Sequence, residues 1–132
     1  MNIEATILSN LLHNEEFARK SIVFLKEEYF HDATEKAVFH EIQKFYSKYN
    51  DVPSREALQI NVDERPDLSS TIYEEAAALI KSLGKIDNNQ QWLLDETEKF
   101  CKDKAVYNAI MESIEIIDGK HKKKTDGAIP EL

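Results

Sequence analysis

The stretch WLLDETEKFCKDKAVYNAIMESIEIID, residues 92–118, contains neither glycine nor proline and decides how the rest of the chain is arranged. Trp92, Leu93, Phe100, Tyr107, Ile110, Met111, Ile114 and Ile117 recur in it at roughly heptad intervals, the spacing that lines apolar side chains along a helix. Such a helix spans roughly 45 Å, more than a head of short helices covers. Trp92, Phe100, Tyr107 and Ile114 are assigned to one row, with Ile110 and Ile117 in the row beside it, so one neighbouring helix cannot shield both. The spacing therefore predicts a helical hairpin packed like a coiled coil, with apolar surface left over for a second copy.

Upstream, Asp87-Asn88 marks a loop, and Gly84 is placed at the end of the preceding helix. That helix carries Ile72, Ala76, Leu79, Ile80 and Leu83 at helical spacing, and Thr71 with Glu74 has the form of a capping box at its start. Residues 71–118 are thus read as an antiparallel hairpin. Residues 61–69 show no clear pattern. Before them, Pro53-Ser54 closes one helix and opens a short one over residues 56–60.

A head is expected over residues 1–60. Its first helix, Ile3 to His13, places Ile3, Ile7, Leu8, Leu11 and Leu12 on one stripe, and Asn14 separates it from a short helix expected to bury Phe17, Ile22, Val23 and Leu25. A third helix starts at Asp32, in a capping box with Glu35, and presents Val38, Ile42, Phe45, Tyr46 and Tyr49 on one face. The head core is assigned to Ile7, Leu8, Leu11, Leu25, Phe30, Val38, Phe39, Ile42 and Phe45. The fold class is all-α: a small helical head, then a long antiparallel helical hairpin, then a flexible C-terminal linker. Domain bounds are 1–118 for head and hairpin and 119–132 for the linker.

The linker differs from the body in charge. The chain holds 17 basic and 25 acidic residues, net −8; residues 119–132 take four lysines and two acids, leaving 13 basic and 23 acidic, or −10, for the body. An acidic body is poorly suited to bind phosphates. Lys120, Lys122, Lys123 and Lys124 read first as a solvated linker and second as a weak, non-specific DNA contact. Pro130, within Ala128 to Leu132, sits where the first turn of a further helix begins.

The residues supply no catalytic apparatus. None of Gly84, Gly119 or Gly127 lies in a phosphate-cradling run ahead of Lys and Ser or Thr. His40-Glu41 opens like a zinc-protease motif, but the position of the second histidine is Lys44. Carboxylate pairs such as Glu27-Glu28 are adjacent in sequence and diverge on a helix. The single Cys101 closes no intrachain disulfide and reads as a small buried hydrophobe. No run approaches the ~20 apolar residues of a membrane span. No catalytic, cofactor or metal residue is assigned, no membrane contact is expected, and a cytoplasmic location is.

Several pieces recur in a recognisable order: Glu4-Ala5-Thr6-Ile7-Leu8-Ser9-Asn10-Leu11-Leu12, Glu28-Tyr29-Phe30, Ala37-Val38-Phe39-His40-Glu41-Ile42, Val52-Pro53-Ser54, Glu96-Thr97-Glu98-Lys99 and Gly127-Ala128-Ile129-Pro130. Together they resemble the N-terminal domain of DnaB-type hexameric replicative DNA helicases, in the order and spacing of the T-even-type phage branch. Where bacterial members place a histidine four residues before the counterpart of Phe39, this chain has Glu35, so a bacterial-type partner contact there is not carried over.

The resemblance implies a non-catalytic collar domain that supports hexamer assembly and primase docking in DNA replication. ATP and Mg would belong only to a motor domain expected beyond Leu132, and DNA would be engaged through the full-length helicase, in the host cytoplasm. The partners implied are further copies of the chain, as a dimer, trimer of dimers or hexamer, and primase. The oligomer interface is assigned to Ile72, Leu79, Leu83, Trp92, Phe100, Tyr107, Met111, Ile114 and Ile117. Two alternatives of other classes stand beside it. One is the helicase-binding domain of a primase; the other is an acidic helical DNA-binding regulator using residues 54–60, where Arg55 is the only cation.

Overall fold

The computed structural model describes residues 2–131, with side chains described for residues 2–119. The chain forms α1 (Ile3–His13), α2 (Glu15–Ser21), a 3₁₀ turn (Glu27–Tyr29), α3 (Ala33–Tyr49), α4 (Arg55–Asp63), α5 (Ser70–Ser82) and α6 (Gln90–Glu131), and there is no strand among the described residues. The all-α class read from the sequence is borne out, and the long last helix fits a hairpin-like arrangement.

Short polar side chains set the helix starts by accepting otherwise orphaned backbone amides. Asn2 accepts from Ala5, Ser54 from Ala57 and Ser69 from Ile72. Asn14 acts twice: its amide ends α1 on the Asn10 carbonyl, and its side chain accepts from Phe17 to start α2. Asp32 accepts from both Thr34 and Glu35 at the start of α3. At the far end of α3, Asn50 adopts φ 54°, the left-handed conformation that asparagine tolerates as a helix stop.

Several boundaries differ from the sequence reading for local reasons. Ser69, not Thr71, caps α5, and Leu83, not Gly84, closes it. The short helix after Pro53 continues to Asp63, because Leu58 and Val62, one turn apart, are both fully buried. The backbone of α6 runs past Asp118, where the reading placed a linker. The side chains of Lys120, Lys122, Lys123, Lys124 and Pro130 lie outside the described residues.

Nearly all the residues assigned to the head core are buried, joined by Phe17, Leu58, Val62, Ala76, Ile80, Leu83, Leu93, Phe100 and Cys101. Phe30 stacks on Phe39 at 4.8 Å between ring centroids and meets Phe100 of α6 at 5.4 Å, in the offset and tilted geometries that aromatic pairs favour. Two expected members are missing. Phe45 is only half-buried and pairs with exposed Tyr49 on the outer part of α3. Val23 is 80% exposed, because α2 ends at Ser21 and the chain turns before Leu25 returns to the core.

The two arms do not pack on each other in the coiled-coil manner the spacing predicted, and each takes other partners. α5 packs mainly on α3 and α4, whereas α6 packs on α1, α2 and the 3₁₀ turn. Polar bonds fix the connection between them: Asn10 Nδ2 donates to Asn88 Oδ1 at 2.9 Å and Asn14 Nδ2 to Gln90 Oε1 at 2.8 Å. His13 Nε2 lies 2.7 Å from the Leu83 carbonyl, so that nitrogen carries the proton.

Candidate self-association surface

α6 begins where Asn89 accepts the Trp92 amide at 2.9 Å. Leu93, Thr97, Phe100 and Cys101 then face the head and are nearly or fully buried, with the Thr97 hydroxyl donating to the Leu93 carbonyl. Burial pushes the Cys101 thiol up to about 11, with Glu98 adding to the effect, so it stays protonated and unreactive. Among the described residues the last side-chain hydrogen bonds to the head are at Asn108. Its Nδ2 donates to the Glu28 carbonyl at 2.9 Å, its Oδ1 lies 3.0 Å from His31 Nε2, and the His31 ring tilts against Tyr107 at 5.0 Å.

From Val106 onward the apolar side chains are largely uncovered. Val106, Tyr107, Ile110, Met111, Ile114, Ile116 and Ile117 are all exposed, from 39% at Met111 to 65% at Ile117. At ~100° per residue, Val106, Tyr107, Ile110, Met111, Ile114 and Ile117 fall within an arc of roughly 140°. The centre of that arc lies about 100° around the helix from the face that carries Leu93, Phe100 and Cys101. The stripe overlaps the core face along its Tyr107 and Met111 edge, where Phe100 shares its direction, and extends from there around the helix. Tyr107, Ile110, Ile114 and Ile117 follow the alternating three- and four-residue spacing of a coiled-coil seam.

The physical origin of this rotation is legible in the spacing. A straight helix drifts ~20° for each seven residues, so Leu93, Phe100, Tyr107 and Ile114 start in the core and end on the bare face. Leu93, rather than Trp92, is the member of the row in register with Phe100; Trp92 is 46% exposed and lies in line with Ile110.

The residues assigned to an oligomer interface separate accordingly. Trp92, Tyr107, Met111, Ile114 and Ile117 are exposed. Leu83 and Phe100 are consumed by the chain's own core, at 0% and 5% exposure, and are unavailable to a partner. Ile72 and Leu79 are half-buried, Leu79 against the core. Ile110 completes the seam, and Val106 and Ile116 add exposed surface that a search for heptads alone passes over.

The groups weighed for chemistry are placed elsewhere. His40 Nδ1 meets Glu27 Oε2 at 2.8 Å, which gives the histidine of the His40-Glu41 pair an ordinary surface partner. Among the described residues no group of three or more His, Cys, Asp or Glu is placed to hold a metal, and no helix is long and apolar enough to cross a membrane.

No family model matches the chain. A relative does: over 134 residues, covering 96% of this chain, it is 31% identical to a DnaB-like replicative helicase of Enterobacteria phage T4. The chain spans 28% of the length of that protein. What the residues resemble and what the whole chain matches agree: the chain is similar to part of a phage DnaB-like replicative helicase.

Proposed function

We propose that the chain is the non-catalytic N-terminal domain of a replicative DNA helicase, supporting assembly of the hexamer and presenting a docking surface for primase. The supporting observation is the bare seam on α6, together with the match to part of a helicase. A contiguous apolar stripe left largely exposed marks a partner surface. Its coiled-coil spacing suits a second copy of the same helix, and isologous pairing of that kind builds dimers that a ring collects in threes. Nucleotide, magnesium and DNA translocation then belong to the motor domain of the complete protein, acting in the cytoplasm of the infected host. The role of the head and α6 is architectural.

The test is the oligomeric state of the chain and of the double variant Tyr107→Glu with Ile114→Glu, measured by analytical ultracentrifugation. The wild-type chain should form dimers, and at high concentration trimers of dimers. The variant should remain monomeric with its helicity retained in circular dichroism, since neither residue belongs to the core. A wild-type chain that stays monomeric at about 10⁻⁴ M, a concentration that reveals even weak association, overturns the reading.

A further inference from the structure

The head carries a cleft that neither the match nor the seam on α6 accounts for. It lies between the outer part of α3 and the end of α4, has a volume of about 280 Å³, and has Phe45 and Tyr49 as an aromatic wall. Glu41 lines it, only 2% exposed, and its Oε2 meets no hydrogen-bond donor. Arg65 lines it too. Its Nε and Nη2 hold Asp67 at 3.1 and 2.7 Å, while its buried Nη1 meets no acceptor. Among the described residues no ion pair joins Glu41 to Arg65.

A buried carboxylate oxygen and a buried guanidinium N–H, each unsatisfied, are costly in the free chain and favour any group that satisfies both. The two requirements are opposite. A cation offered to Glu41 would meet Arg65, and an anion offered to Arg65 would meet Glu41. A neutral amide donates to one and accepts from the other without adding charge. Lys44 and Lys48, one turn apart on α3, line the same cleft and form no ion pair among the described residues. Glu64 lines the cleft as well, so the two lysines offset Glu41 and Glu64 and leave a near-neutral patch on a chain of net charge −8, where an acidic segment meets less repulsion than elsewhere. We propose that this cleft is a docking socket for a carboxamide carried on an acidic segment of a partner protein, the amide bridging Glu41 and Arg65 and the flanking acids meeting Lys44 and Lys48. The inference does not rest on the self-association reading, since none of these residues lies on α6.

The test titrates the whole chain with the peptide acetyl-Asp-Glu-Gln-Glu bearing a free C-terminal carboxylate, so that glutamine is its only primary carboxamide, and follows backbone amides by NMR. Saturable shifts at Glu41, Lys44 and Arg65 are expected. They should be lost when the glutamine of the peptide is replaced by leucine, and binding should weaken about tenfold or more in Lys44→Glu with Lys48→Glu. Glu41→Met removes the unpaired oxygen while keeping similar bulk; it should abolish binding and leave the melting temperature unchanged or higher. Three outcomes overturn the proposal. These are no saturable shift up to about 10 mM peptide, binding indifferent to the glutamine and to the lysines, or a lowered melting temperature in Glu41→Met, which would assign Glu41 to a water-bridged structural pair with Arg65.

Discussion

Phe30 and Ile114 are both large apolar residues of one small helical chain, and their surroundings could hardly differ more. Phe30 is fully buried between Phe39 and Phe100, in a head where α1, α3 and α4 all contribute fully buried side chains. Ile114 is 45% exposed, past the Asn108 tie of α6 to the head, with Ile110 and Ile117 exposed beside it. The head satisfies itself within one copy, whereas the far part of α6 does not. An isolated helical segment gains little from propensity alone and depends on packing for its stability. The two regions therefore differ in kind: one holds the fold, the other leaves apolar surface bare.

The largest expected effect tests that division directly. Phe30→Ala removes an aromatic ring from the packed cluster and should lower folding stability by about 3–5 kcal/mol. Ile114→Ala should change folding of the monomer by no more than about 0.5 kcal/mol, since it exchanges an exposed side chain for a good helix former. In self-association the order reverses, with Ile114→Ala weakening it. Denaturant titration at low concentration and sedimentation at high concentration separate the two readouts. A comparable loss of monomer stability in both variants would mean that α6 is braced by the head along its whole length.

The sequence made the packed region easier to read than the bare one. Ile7, Leu8 and Leu11 fall on one helical stripe because a single face meets the core, and α1 is bounded by the asparagines at positions 2 and 14, whose short side chains cap helices wherever they precede an apolar run. Errors arose where local pattern and tertiary packing diverge. Val23 follows Ile22 in an apolar run, yet the run straddles a helix end, so period alone misplaces it. Thr71 has the spacing of a cap, but Ser69 lies two residues earlier and takes the role. Phe100 and Tyr107 look equivalent as heptad neighbours and differ by only ~20° around the helix; Phe100 lies under the head, whereas Tyr107 lies at its edge beside the Asn108 tie. The Glu41 cleft carried no sequence signal at all, since its meaning lies in a buried oxygen left without a donor.

A smaller effect locates the border between the regions. Asn108 donates to the Glu28 carbonyl and meets His31 through its Oδ1, joining α6 to the segment before α3. These bonds lie near the surface, so Asn108→Ala should cost about 1 kcal/mol, near the middle of the range for single hydrogen bonds. Amide hydrogen exchange should show where that cost falls. Protection should decrease around Tyr107 and Asn108, with the amides of Leu8, Phe39 and Ile42 unaffected. Equal loss in the core would place the border farther out along α6.

An effect of similar size, but visible only as pH changes, lies where α1, α3 and α6 converge on Glu35. Burial, reinforced by Glu4 and Asp32 and opposed by Lys104 of α6, pushes its carboxyl up to about 6 from the ordinary 4.5. A raised pKa means that the folded chain binds the proton more tightly than the unfolded chain, so stability from this group is full below about pH 4.5 and is lost as pH rises through about 6. Glu35→Gln has no such proton to lose. Relative to wild type it should gain stability between these limits, by about 1 kcal/mol once screening at this half-buried site is discounted. Both chains would be unfolded in urea at pH 4.5 and pH 7 and compared only with each other, which removes the contributions of the other carboxylates. Removing the opposing charge with Lys104→Ala should enlarge the difference if α6 is seated against α3 at this level. If Lys104→Ala leaves it unchanged, the helix has already parted from the head before Asn108, and the bare surface is longer than the seam alone.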